Sequence, residues 1–502
     1  MPPAAAVTAA KHAQPAAAAR AAQDIPASAA QERGGGAAAE GGTGQGATGM
    51  GLMLLSFGVT VMTAPYFGQH PDEQVRAHAV AVFGTACCVF LSVTFFNGLV
   101  GIFKTWLDLA GKLLLAATLT VLAHAASWSL ARAAGADFTS APRPGLATKA
   151  IGRIAMHAAA FTWVPLWTDV GDWLAARGAG WGASWLCPAA ALAFLLGSLP
   201  VACWDRCLGA GGEEGRSDEG RAGQEQLARQ CEEESAALLL SILAMQQSRD
   251  AVKHYVSFAT DEDAADVRYS LWQITIVMAI GALTMGLTAS LLKHFGTTSE
   301  RDPSAGLLAR SLRKGYSVVV KASMYFSGWA ALIALQWFLV SYVIQQAVAK
   351  VVLYVVVALL CSYFAFGILL GVGRLGHDED PANSEITETV MKTLGIIVGF
   401  SWERCVSVGS GQLAGVATAA LFGGGADSEG VVSFGVTMLI CCAVFLGQLL
   451  VLPPGAGRSR LVQTKGAAEA GQWSPPRGPE PDVAELPLLH GPAELAAPAP
   501  AP

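Results

Sequence analysis

Charged side chains are scarce in this sequence. Asp, Glu, Lys and Arg make up 14% of its 502 residues, where an ordinary soluble domain carries about 25%. The deficit is uneven. Charges crowd into the termini and a few loops and leave long apolar runs between them. Runs of about 18 or more apolar residues mark membrane-spanning helices, and soluble core helices rarely need that length. A clustered basic surface is also missing, and the net charge is −6, which argues against nucleic acid as a partner. Neither of the two asparagines, Asn97 and Asn383, sits in a glycosylation sequon. A disulfide framework is absent too. Most of the ten cysteines lie inside apolar runs, as Cys87-Cys88 and Cys441-Cys442 do, where they behave as small hydrophobes. The chain holds no P-loop, no dinucleotide fingerprint, no histidine box, no zinc or calcium motif and no Arg-rich voltage-sensor helix. No cofactor and no metal are expected.

What is present is a series of apolar segments, at 50–66, 79–103, 112–132, 150–170, 183–203, 270–292, 317–342, 349–372, 392–412 and 432–452. They predict an all-α protein, a polytopic bundle of about nine or ten transmembrane helices with the lipid bilayer as its main partner. Residues 1–49 are Ala/Gly-rich and lack the apolar core of a signal peptide, and 454–502 are Pro-rich; both read as disordered tails. A first helix group covers 50–204 and a second 270–453. Between them, 205–269 is acidic and of low complexity. Its one apolar run, ESAALLLSILAMQQ, is too short to span. It is expected as a short amphipathic helix at the interface or against the bundle.

A repeat runs through the chain at an offset of 239 residues. Phe161-Thr162-Trp163 corresponds to Phe400-Ser401-Trp402, Arg153 to Lys392, and Asn97 to Gln336. Two four-helix units separated by one extra helix put equivalent helices five spans apart. An odd separation predicts two inverted repeats, the arrangement that places transporter sites near the midplane.

Polar residues within spans are costly and point to function. Glu403 and Arg404 fall in the middle of 392–412 and are the first candidates for an ion or solute pathway; a helix framed later would make them interfacial anchors instead. His124 and His157 are central in two helices and suit a proton relay or an interhelical bond. Asn97 and Gln336 suit a polar path or interhelical bonding. The expected partners of Glu403 are His124, His157 and Arg153. Lys321 is expected to snorkel to the headgroups, Pro165 to kink or end its helix, and Gly411 and Gly415 to let helices approach closely. Three functions stay open: a transporter or channel for a small solute or ion, a membrane scaffold or sensor without a pathway, and a membrane-embedded enzyme.

Overall fold

In lipid, every backbone amide must be satisfied within its own segment, so apolar runs become helices. The computed structural model describes residues between 51 and 451, apart from scattered positions before 65 and the stretches 104–108, 135–141, 177–185, 197–217, 257–268, 296–306, 344–349, 375–380 and 423–425. All described residues fall in one unit, and no strand occurs among them. The tails, Cys203 and Cys207, the acidic runs at 261–263 and 377–380, and most of the loops lie outside the described residues.

Helical turns between 51 and 68 are followed by ten α-helices: α1 (Glu73–Phe103), α2 (Leu109–Ala134), α3 (Pro142–Ala176), α4 (Leu186–Leu196), α5 (Asp218–Val256), α6 (Leu271–Phe295), α7 (Leu307–Phe338, continued by a π-turn to Val343), α8 (Lys350–Arg374), α9 (Pro381–Phe422) and α10 (Ala426–Val451). Local chemistry fixes several starts. Asp72 caps α1 by accepting from the amides of Gln74 and Val75 at 2.8 and 3.4 Å. Ser270 and Gln273 cap α6 reciprocally, at 3.2 and 3.0 Å. Pro165 neither ends nor interrupts α3, which runs on to Ala176. Among the described residues, five helices are long and apolar enough to cross a membrane. They mark the chain as an integral membrane protein.

Helix packing alternates between inner and outer positions. The apolar stretches of α1 and α7 are 67% buried, whereas those of α2 and α6 are only 22% buried. The inner helices α1, α3, α5, α7 and α9 contact one another in that order, and α9 closes back on α1. Each outer helix lies against the inner helix that follows it in sequence: α2 on α3, α4 on α5, α6 on α7 and α8 on α9, with α10 on α1 and α9. The tightest approach is α9 on α1. A Cβ at Gly395 would stand 2.6 Å from the Val82 carbonyl oxygen, and one at Gly399 would meet the Ala86 carbonyl more closely still. The small-residue contact therefore uses Gly395 and Gly399. Gly411 faces open space, which corrects the expectation placed on it.

The inner helices are parallel. Arg153 of α3 and Lys392 of α9 grip the same carboxylate, and eight residues later on each helix the rings of Phe161 and Phe400 lie 6.3 Å apart. Two meetings at one offset are possible only for helices running the same way. On α5 and α7, Glu232 meets Lys314, Glu233 meets Lys321 and Ser241 meets Trp329, advancing together. The opposite orientation expected of the repeats is thus corrected to a parallel one. The reason is α5. In place of a short interfacial helix, 218–256 forms one helix of 39 residues enclosed by α2, α3, α4, α6 and α7. Its inclusion makes equivalent helices six apart, an even number. Cys231, placed by sequence in a loop, is 1% exposed.

Residues at the 239-residue offset make matching side-chain contacts. The Trp163 indole donates to Thr120 on α2 at 2.8 Å, and the Trp402 indole donates to Ser362 on α8 at 3.0 Å. Each hydroxyl in turn donates to a carbonyl one turn back, of Ala116 and Ala358, so both are satisfied inside an apolar helix.

Candidate functional site: a buried ionic layer on the helix axis

Three consecutive glutamates on α5 organise the polar interior. Successive helical residues point about 100° apart, so each carboxylate serves a different neighbour. Glu232 accepts from Lys314 at 2.9 Å and faces Nε2 of His124 at 3.7 Å. Glu233 accepts from Lys321 and Ser317, both on α7, at 2.8 Å. Glu234 is held on two sides. Arg153 lies 3.1 Å away through both Nε and Nη2, and Lys392 donates at 2.7 Å. Lys392 also reaches Glu388 one turn back on α9, at 3.2 Å. Ser235 follows and hydrogen-bonds His157 Nδ1 at 2.6 Å. Tyr325, 2% exposed, is an electrostatic neighbour of Glu234, Arg153 and Lys392.

Helices α5 and α9 are not neighbours in the ring, and neither are α3 and α9. The Lys392–Glu234 bond therefore crosses the space the inner helices enclose. The same is true two turns on, about 12 Å along the axis. There Phe161 meets Phe400 across the ring, Phe96 stacks on Phe161 at 6.4 Å, and Trp329 meets Phe400 edge-on at 4.5 Å. Trp329 is fixed by its bond to Ser241 of α5, at 3.2 Å. An ionic layer and an aromatic layer thus occupy the axis in succession.

Beyond the aromatic layer lies a second polar centre. Glu403 is 1% exposed and accepts from the Asn97 amide at 2.6 Å. It faces the interior, as the cost of a lipid-facing carboxylate requires, but its partner is Asn97. His124, His157 and Arg153 all belong to the ionic layer instead. Arg404, next in sequence, is half-buried and is an electrostatic neighbour of Glu403. Gln336 is half-buried on α7, and among the described residues it makes no hydrogen bond to either polar centre. Lys321 does not snorkel; it is 20% exposed and paired with Glu233. Lys112 and Asp169 pair between α2 and α3.

Sequence reasoning passed over Glu232, Glu233 and Glu234, the residues around which the site is built. The available signal was four cations inside or at the edge of apolar segments, Arg153, Lys314, Lys321 and Lys392, with too few carboxylates in those segments to match them. The counter-charges had to come from the acidic stretch set aside as a connector.

The arrangement limits the chemistry. The Ser235–His157 contact has nucleophile–base geometry, but Ser235 is 0% and His157 4% exposed. No group of three or more metal-binding side chains occurs among the described residues. No protein-family model, curated protein or solved structure matches this chain.

Proposed function

We propose that the five inner helices enclose a pathway for a small ion, shut in this conformation by the ionic and aromatic layers. The observation that carries the reading is the Arg153–Glu234–Lys392 bridge, in which the adjoining helices α3 and α5 are joined through charged groups to α9, a ring neighbour of neither. Interior ionisable groups are costly in a membrane protein and commonly mark ion and substrate routes. A bundle needing only stability is served as well or better by apolar residues at such positions. Parallel inner helices covered by outer ones keep these groups away from lipid. The aromatic layer gives a second closure that side-chain rotation can open.

The alternative of a membrane scaffold is favoured by one observation, the filling of the axis at both levels. Ion flux into liposomes carrying the purified chain separates the two. The pathway reading expects flux that rises when Phe161 and Phe400 are both replaced by alanine. A bundle that stays folded and passes no ion in either form would be a scaffold.

A further inference from the structure

We propose that Arg153 and Lys392 form a binding site for a small monovalent anion, and that the Glu234 carboxylate is its tethered occupant, displaced by the free anion. The inference rests on the axial pathway above and names what that pathway selects.

The geometry is that of an anion site with a ligand in place. The Glu234 Oε1 takes both Lys392 Nζ and Arg153 Nη2, while Oε2 faces Arg153 Nε. A fork and a point charge from two helices thus converge on one carboxylate, the arrangement that recognises small oxyanions. The two cations come from equivalent positions of the repeat and face each other across the axis. The pair is therefore a property of the duplicated frame, whereas Glu234 is supplied by α5, which lies between the two repeat units. The cations are also the more open partners, with Arg153 and Lys392 16% and 18% exposed against 7% for Glu234.

A monovalent anion that takes the place of the carboxylate keeps both cations paired, so the swap avoids the penalty of stranding them. A cation entering the same place would meet Arg153, Lys392 and the nearby Lys321. That repulsion is the selective element. A displaced Glu234 would share Lys321, which lies within its electrostatic reach and already donates to Glu233 at 2.8 Å. Glu233 and Glu232 do not compete, since their partners lie on α7 and α2.

The test uses the full-length protein in detergent and in liposomes, with sodium chloride and sodium formate as probes and sodium gluconate holding ionic strength. Glu234→Ala should melt lower than wild type in gluconate. Chloride or formate should restore most of that loss along a saturating curve. Wild type should respond only at higher anion concentration, because Glu234 competes. Adding Arg153→Gln and Lys392→Gln should abolish the saturable response. In liposomes, Glu234→Gln should pass chloride several-fold faster than wild type. This variant keeps the side-chain shape and carries the test if Glu234→Ala does not fold. Rescue by anions with no flux in any variant keeps the anion site and overturns the pathway. Flux in wild type, with no anion rescue and no change in Glu234→Gln, keeps the pathway and overturns the tethered occupant.

Discussion

Replacing Glu234 by leucine should destabilise the wild-type protein and stabilise a variant that lacks both of its cations. In the wild type, Glu234 neutralises Arg153 and Lys392, each less than one-fifth exposed. Removing the carboxylate leaves two buried cations facing one another. Breaking a buried pair in this way costs about 3–5 kcal/mol. Losing one cation costs less, because the other still holds the carboxylate. Arg153→Met or Lys392→Met alone should cost about 1.5–3 kcal/mol, the worth of a hydrogen bond to a charged group. Losing both leaves Glu234 without a direct cationic partner, and the cost returns to about 3–5 kcal/mol. In that background Glu234→Leu removes the stranded charge and fills the space with methyl groups, so it should recover most of the loss. One substitution thus changes sign with its context, a coupling that independent sites do not show. Cys88, Cys231 and Cys405 are 2%, 1% and 0% exposed, so with the exposed Cys442 replaced by serine a thiol-reactive dye added during a thermal ramp in detergent reports unfolding. The expected order of melting temperatures puts wild type highest, the single cation variants and the triple variant between, and the double cation variant and Glu234→Leu alone lowest. The reasoning fails if Glu234→Leu lowers the melting temperature by the same amount in both backgrounds.

Two further outcomes follow from the fold. Gly399→Leu should prevent α9 from seating on α1, because even a Cβ there meets the Ala86 carbonyl, while Gly411→Leu, pointing into open space, should leave the melting temperature within about 1 °C of wild type, in keeping with the small effect of most surface changes; equal effects at the two sites would contradict the packing. The ends of the helices also set the orientation. Parallel inner helices bring Arg132, Arg143, Lys149, Arg310, Arg313 and Lys314 to one face, against Lys112, Arg249, Lys253 and Lys350 on the other, and the positive-inside bias makes the first face cytosolic. A tag placed directly after α10 should be open to protease from the cytosolic side of sealed membranes and protected from the other; the reverse protection would overturn the assignment.

Much of this protein was legible in its sequence, and what was not has a common physical cause. Lipid imposes a demanding rule, because an exposed helix must be apolar along its whole span. That rule made α1, α2, α6, α7 and α8 recognisable one by one, and it marked Glu403 as a residue that must face inward. The 239-residue repeat was also written in single residues, and two of its pairs, Arg153 with Lys392 and Phe161 with Phe400, turn out to meet across the axis. The rule is silent for a helix that touches no lipid. Around its middle, helix α5 is packed among other helices, so the glutamates at 232–234 face no lipid and are free to be there, and the acidic stretch that carries them reads as a connector. That one helix decided what local sequence could not. It changed the parity of the chain, so the repeats run parallel, and it carried the three carboxylates to cations on α3, α7 and α9 and to His124 on α2. Partner choice at Glu403 was settled the same way: reach depends on which helices adjoin, and the closure of α9 on α1 put Asn97 beside it while the histidines were taken up by α5. The sequence by itself determined which segments are helical and which polar groups must be enclosed; the tertiary structure alone decided which of those groups share an enclosure, because that depends on how many helices lie between them and which way each one runs.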